Sequence, residues 1–294
     1  MEKSNYTLTV FTPTYNRSYT LTKLYESLAR QTSKDFEWIV VDDGSIDDTE
    51  RLITRWKNEG IVPITYEYQQ NSGKMKAHNR GVEMAKTELF MCVDSDDYIS
   101  DDAVESIIHK WSQINNKDTL AGIIAYKSIR NKDGEYKVVC EFPHLGYDKL
   151  YMLYKNGFRG DTTLVFRTES IKPIPFPSFE GEKFIPENVM YDQLDLKYDW
   201  ALMDKVLTLC EYMPDGYTQN GKTFYDENPK GMAFMYNEHA KMPKLTWREK
   251  ILMAEGFIGY SKKAGYKRIY RMSTVKGILY VAAIVLNFKN RKRK

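Results

Sequence analysis

A chain of 294 residues, 42% of them apolar, is long enough for one large domain or for one domain with a C-terminal annex. Its three cysteines, Cys92, Cys140 and Cys210, and its four scattered histidines form neither a disulfide framework nor a zinc-ligand spacing; zinc chemistry is therefore not expected, and a reducing cytoplasmic setting is. The net charge of +3 hides a split: residues 241–294 carry 15 Lys+Arg against 2 Asp+Glu, whereas residues 1–240 carry 28 against 38, so the larger part is a poor nucleic-acid binder and the basic part suits an anionic surface.

The N-terminus shows no signal-peptide pattern, because polar residues through Tyr6 run straight into an apolar stretch. "TLTVFTPTYN" reads as a strand over Thr7–Thr12 stopped by Pro13. "TLTKLYESLARQ" has Leu21, Leu24, Tyr25 and Leu28 at helical spacing. "EWIVVDDGS" is an apolar strand ending in Asp42, Asp43 and Gly44, and "DDTERLITRW" opens with acids suited to a helix N-terminus. "PITYEYQ" predicts a third strand, "NSGKMKAHNRGVEMA" a glycine loop and helix, "ELFMCVDSDD" a fourth strand, and "SDDAVESIIHKW" another helix. Strands that alternate with helices and read as continuous apolar runs predict an α/β fold with a mostly parallel, doubly covered sheet. Beyond residue 120 the alternation weakens. A hairpin is expected around Asn131 to Gly134, then helical segments near 189–201 and 246–266.

Three of these strands end in polar clusters: Thr12-Pro13-Thr14-Tyr15-Asn16, Asp42-Asp43-Gly44 and Asp94-Ser95-Asp96-Asp97. Carboxyl ends of parallel strands form the ligand crevice of such sheets. Carboxylates crowded there repel one another unless a cation sits among them, and hard oxygen ligands select Mg2+ or Mn2+ with phosphate oxygens completing the shell. An EF-hand starting at Asp94 is excluded, because Tyr98 and Ile99 stand where an oxygen ligand and a turn glycine belong. A helix N-cap accounts for Asp101 or Asp102 but not for Asp94 or Asp96.

"FTPTYNR" at 11–17, "WIVVDDGSIDDT" at 38–49, "NSGKMKAHNRGVEMAK" at 71–86 and "ELFMCVDSDD" at 88–97 together resemble the inverting family-two glycosyltransferases, in order and in spacing. The resemblance is strong over residues 6 to about 110 and weaker to about 230. It implies a GT-A-type, Rossmann-like sheet flanked by helices, with a C-terminal helical annex. It also implies a UDP-sugar donor, with Thr12, Pro13 and Tyr15 lining the base pocket and Asp42 accepting a hydrogen bond from uracil. Asp43 would support that loop, and Asn71 and Lys74 would lie near base and diphosphate. Asp94 and Ser95 would stand near the ribose, Asp96 and Asp94 would bind Mn2+ or Mg2+, and Asp97 would face the sugar or brace the turn. His78 departs from the pattern, since the family commonly has Arg there; a neutral imidazole leaves a diphosphate less neutralised, a deficit Lys74 or Lys76 would make up.

"FEGEKFIPENVMYDQL" resembles the family's later acidic segment, with Asn188 where Asp is usual. Glu187 is then the first candidate for the catalytic base and Asp192 the second. Five residues apart on a helix, they point about 140° from each other. The implied reaction is a single displacement that inverts the anomeric carbon. The acceptor would be a saccharide or lipid-linked hydroxyl, as in bacterial surface polysaccharide synthesis. A non-catalytic nucleotide-sugar-binding scaffold is the alternative. A nucleotidyltransferase wants a glycine-rich N-terminal loop, and "FTPTYNRSYT" has no glycine.

Residues 1–230 are thus expected as a catalytic domain, with a nucleotide-sugar half over 1–110 and an acceptor half over 111–230. Residues 231–294 are expected as a basic helical extension. Its uncharged stretch Gly277 to Phe288, 12 residues, is short of the about 20 a bilayer span needs. It would pack on protein, form an oligomer contact, or lie on an anionic membrane from the cytoplasmic side.

Overall fold

The structure, a computed structural model, describes residues 4–130, 134–211 and 221–291. They form two compact units, drawn from Met1–Pro175 with Lys197–Pro214 and from Phe176–Leu196 with Asp215–Lys294. The division interleaves along the chain, where the sequence suggested a linear one.

In chain order the elements are β1 (Leu8–Thr14), α1 (Ser18–Ala29), β2 (Phe36–Asp42), α2 (Thr49–Glu59), β3 (Ile64–Tyr68), α3 (Lys74–Met84), β4 (Leu89–Cys92), β5 (Asp97–Ile99) and α4 (Ala103–Ser112). There follow β6 (Leu120–Arg130), β7 (Tyr136–Lys137), β8 (Tyr147–Asp148), α5 (Leu150–Lys155), β9 (Thr162–Arg167), α6 (Thr168–Ile171), α7 (Asn188–Asp195) and β10 (Asp199–Cys210). The last helices are α8 (Gly221–Glu227), α9 (Pro229–His239), α10 (Trp247–Lys263), α11 (Ile269–Met272) and α12 (Gly277–Arg291).

The first unit holds the mixed α/β sheet, ordered β3-β2-β1-β4-β9-β6-β10-β5. Strands β1 to β4 run parallel, β9 is antiparallel to β4 and β6, and β10 runs parallel to β6. The apolar runs of β1, β2 and β4 are buried as the sequence implied. Leu8, Val10, Trp38, Val40, Leu89 and Met91 pack with helix residues Leu21, Leu24, Leu28, Ile53 and Trp56 in one core. Each such side chain taken from water contributes about 1.5–3 kcal/mol. Trp56 stacks on Tyr25 with ring centroids 4.4 Å apart, which ties α2 to α1 over this core.

Three expectations need correction. Strand β1 continues through Pro13, which stays in register with Val41. The O of Phe11 accepts from Val93 on the β4 side, and the O of Thr14 accepts from Asp43 on the β2 side. By alternation the missing N–H of Pro13 faces β4, whose ladder with β1 has already stopped at Phe11–Cys92, so no ladder bond is lost within the pairing. The helix expected over 189–201 ends at Asp195, and residues 199–210 are strand β10. Asp102 occupies the N-cap of α4 without a side-chain cap bond; its carboxylate pairs instead with Lys205 Nζ at 2.5 Å. The hairpin is seen as antiparallel pairing of Ile129 with Lys137 and Arg130 with Tyr136; residues 131–133 of its turn lie outside the described residues.

The second unit is helical. Thr246 and Glu249 form a reciprocal capping box that starts α10. Glu182 accepts hydrogen bonds from the N–H groups of Lys230 and Gly231 at 2.7 and 2.8 Å, which satisfies the start of α9. Helix α12 packs on α10 through Tyr280 and Ala283, with Ala254 and Ile258 opposite. Among the described residues, no helix is long and apolar enough to cross a membrane.

Candidate active site

Because β1, β2 and β4 are parallel, the loops after them leave one edge of the sheet. The loops after β1 and β2 are stitched together. Asn16, at φ 52°, donates its N–H to Ser45 Oγ at 2.8 Å, and its Oδ1 accepts from the Ile46 N–H at 2.9 Å. Gly44 has φ +89°, and a Cβ there would stand 2.8 Å from the Asn71 N, so only glycine lets the β2 and β3 loops approach this closely.

Asp43 is buried and braces the third loop. Its Oδ1 accepts from Gln69 Nε2 at 2.7 Å and the Ser72 N–H at 2.9 Å, and its Oδ2 accepts from the Gly73 N–H at 2.8 Å. Asp42 is fully buried; its carboxylate accepts from the Ser45 N–H at 2.8 Å and from Tyr66 Oη at 2.9 Å. Burial and this carboxylate push the Tyr66 phenol well above its usual range, so it remains a donor. Thr12 points into the sheet, where its Oγ1 accepts from Trp38 Nε1 at 3.0 Å. Pro13 is buried and Tyr15 is half exposed. Thr14 Oγ1 is buried at the end of β1 with no hydrogen-bond partner.

The acidic stretch sits beside two lysines. Lys74, the first residue of α3, places Nζ 2.7 Å from Asp94 Oδ1. Lys127, from β6, places Nζ 2.5 Å from Asp97 Oδ2. Burial alone would raise the Asp94 pKa, but the ammonium groups of Lys74 and Lys127 outweigh it and hold the carboxyl below its ordinary value. Burial raises Asp96, and the charge of Asp94 raises it further. Burial pushes Asp97 up to about 6 despite Lys127. Ser95 is buried within the turn. His78, on α3, is also buried, with its ring edge-on to Phe11 and Phe90 at 5.7 and 5.5 Å.

Among the described residues no group of three or more His, Cys, Asp or Glu side chains could hold a metal unaided. Two carboxylates, Asp94 and Asp96, suit Mg2+ or Mn2+ nonetheless, since such ions bind one or two carboxylates and take the rest of their shell from substrate phosphate and water. The donor set is all oxygen, which suits hard divalent ions rather than soft ones.

Glu187 and Asp192 belong to the second unit. Glu187 precedes α7 at its N-cap position, and its Oε2 accepts from Tyr191 Oη at 3.2 Å. Asp192 is buried, with Oδ2 2.7 Å from His239 Nδ1 and 3.2 Å from Asn188 Nδ2. Sequence reasoning passed over Lys127, although a single lysine in the apolar run "LAGIIAYKSIR" is a signal for a paired buried charge. It also passed over His239, 47 residues from Asp192, for which the sequence offered no signal.

Residues 9–174, more than half of the chain, match the family described as Glycosyl transferase family 2. The chain belongs to glycosyl transferase family 2. It is 26% identical over 282 residues to the glycosyltransferase GlyA of Streptococcus pneumoniae, covering 92% of this chain and 38% of GlyA. The chain spans about two fifths of the length of the first curated relatives it matches, 38% and 42%. In fold it is similar to Staphylococcus aureus TarS 1-349 in complex with UDP-GlcNAc, with a TM-score of 0.62 at 20% identity, covering 96% of this chain and 80% of that one. It is likewise similar to the mannosyltransferase PcManGT of Pyrobaculum calidifontis in complex with GDP-Man and Mn2+, with a TM-score of 0.55 at 16% identity, covering 97% and 88%. The family-two GT-A architecture expected from the four motifs is thus the observed one.

Proposed function

We propose that this chain is a metal-dependent, inverting glycosyltransferase that moves a sugar from a UDP-sugar to a hydroxyl of a saccharide or lipid-linked acceptor in bacterial surface polysaccharide synthesis. The observation that carries this reading is the acidic turn Asp94–Asp97, placed beside Lys74 on the sheet edge that also bears the Asp43-braced loops. The TarS complex with UDP-GlcNAc and the PcManGT complex with GDP-Man and Mn2+ support a nucleotide-sugar donor and a divalent ion.

In this mechanism the buried Asp42–Asp43 pair keeps the nucleotide-facing loops rigid, so that Pro13, Tyr15 and Asn71 would present a preformed base pocket, with Thr12 held behind it by Trp38. Asp94 and Asp96 would hold Mg2+ or Mn2+, which when bound would offset charge on the leaving diphosphate. Lys74 adds a positive charge on the same side, and His78 lends ring contacts that keep α3 in place. Asp97 and Ser95 stabilise the turn that carries the ligands. By the resemblance of its segment, Glu187 would take the proton from the acceptor hydroxyl, which attacks the face opposite the leaving group. Asp192, engaged by His239 and Asn188, is better suited to positioning than to proton abstraction.

The basic C-terminal part suits peripheral contact with an anionic membrane, which would bring the enzyme to a lipid-linked acceptor. An oligomer contact through α12 is the competing use of that helix.

The test is transfer from a UDP-sugar panel by wild type and Asp96→Ala, with UDP release and product both followed. Loss of transfer in a folded Asp96→Ala protein is expected. Full activity of that variant in excess EDTA overturns the metal-dependent reading. Nucleotide binding by wild type without transfer to any acceptor favours a scaffold.

A further inference from the structure

The helical unit gathers three tyrosines from three helices. Tyr236, on α9, and Tyr260, on α10, lie with ring centroids 5.8 Å apart and planes 18° from parallel. A Cβ on Gly256 would stand 2.5 Å from the Tyr236 ring, so that ring rests on the α10 backbone only because residue 256 is glycine. Glycine inside a helix costs about 0.5–1 kcal/mol relative to alanine, and the seat for Tyr236 is what it provides here. Lys263 stands 5.2 Å from the Tyr260 ring centroid and pairs with Asp226 of α8. Tyr225, the residue before Asp226, is 39% exposed, and its ring centroid lies 6.0 Å from that of Phe184.

Neither Tyr236 nor Tyr260 finds a hydrogen-bond partner for its hydroxyl among the described residues. A tyrosine hydroxyl taken from water usually has one. Burial raises both phenols, that of Tyr260 to about 12, and the charge of Glu255 raises both further, so both remain O–H donors. Tyr225 acts on both phenols and Asp226 on Tyr260, which places three phenols and two carboxylates in one neighbourhood.

A pyranose matches such a surface. Its C–H face suits the electron-rich face of an aromatic ring, and its hydroxyls accept from phenol O–H groups and donate to carboxylates. Lys263 is committed to Asp226, and Glu255 adds a second negative charge, so a phosphate-bearing ligand is disfavoured. Tyr236 precedes His239 by three residues on α9, and His239 reaches Asp192 on α7, so one helix joins the cluster to the segment that Glu187 opens.

We propose that Tyr225, Tyr236 and Tyr260, with Asp226 and Glu255, bind a neutral saccharide unit of the acceptor. This rests on the saccharide-acceptor reading above and adds a place to it: a subsite made of residues of the helical unit alone.

The test is saturation-transfer NMR of the full chain with three neutral probes, cellohexaose, maltohexaose and chitohexaose, beside calorimetric titration with UDP. Wild type is expected to transfer saturation to at least one probe. Tyr225→Ala should weaken binding of that probe by about tenfold, the scale of one lost aromatic contact. Tyr236→Phe and Tyr260→Phe should each weaken it by about two- to tenfold, the scale of one hydrogen bond. Neither phenylalanine change removes a hydrogen bond within the protein, so both variants should fold and bind UDP as wild type does, which separates sugar recognition from a packing role. The proposal is overturned if wild type transfers saturation to none of the probes, or if all three variants keep wild-type affinity. A wild type that binds UDP but neither binds the probes nor glycosylates any saccharide overturns the saccharide-acceptor reading and this inference together. A wild type that glycosylates a saccharide whose KM the three variants leave unchanged overturns this inference alone.

Discussion

His239 Nδ1 lies 2.7 Å from the Oδ2 of the buried Asp192, joining α9 to α7 within the helical unit. Burial disfavours the imidazolium, but the bond to Asp192, its charge and that of Glu249 outweigh burial and raise the His239 pKa above 6.5. A group whose pKa is raised on folding stabilises the protein fully below its unfolded value and loses that contribution as pH rises through the folded value. The wild type should therefore exceed His239→Gln in stability most at about pH 5.5, with the gap closing towards about pH 8.5, on either side of an ordinary histidine. Urea unfolding of both proteins across this range checks it. Parallel pH curves would mean that the pair is not ionic.

Asp43 satisfies two backbone N–H groups and one side-chain amide of the loop that opens α3. Asp43→Ala leaves those donors unpaired in a buried place, at a cost of about 1–3 kcal/mol for each that water cannot reach. UDP affinity should fall by more than about tenfold, because the loop carrying Asn71 and Lys74 loses its brace and each 1.4 kcal/mol is a factor of ten. Calorimetric titration with UDP, paired with thermal melting, tests this. Wild-type UDP affinity in a destabilised Asp43→Ala protein would confine the residue to stability.

The first half of the fold was legible because its signals are local. Leu21, Leu24 and Leu28 repeat at helical spacing, and Val10, Val40 and Met91 sit in unbroken apolar runs. What the sequence obscured depended on neighbours. Pro13 looked like a strand end, but whether a missing N–H matters depends on which strand lies beside it. Strand β10 was hidden because its register with β6 shifts between Met203 and Val206, where Asp204 and Lys205 break the alternation. The acidic turn was visible as a crowd of like charges. The two lysines that answer it come from α3 and β6, and only the sheet order brings Lys127 to Asp97.

Glu187→Gln should lower turnover by about 100-fold or more, the usual scale for a general base, while UDP affinity is unchanged. Asp192→Asn keeps the shape of the His239 contact and should reduce stability more than turnover. Initial rates at saturating donor, beside UDP titrations, separate the two. A near-normal Glu187→Gln enzyme with a dead but folded Asp192→Asn enzyme transfers the role of base to Asp192.

The two faces of α12 differ in what they meet. Tyr280 and Ala283 pack on α10, whereas Ile278, Val281, Val285 and Phe288 are 83%, 58%, 50% and 61% exposed. These four recur at helical spacing on one stripe, beside Lys289; in the sequence Arg291, Lys292, Arg293 and Lys294 follow, the last three outside the described residues. A stripe of this kind with a basic end suits the surface of an anionic bilayer, where each basic residue contributes about 1 kcal/mol at low salt. Val281→Glu with Val285→Glu alters the outer stripe and leaves the inner face untouched, so it separates surface binding from folding better than deletion of the helix does. In co-sedimentation with phosphatidylserine-containing vesicles, wild type should bind at low salt and release at high salt, and the double variant should remain in the supernatant. If the double variant binds as well as wild type, or if wild type does not bind at all, the stripe is not a membrane contact. Dimerisation of wild type that the same double variant abolishes would then assign it to a second copy of the chain.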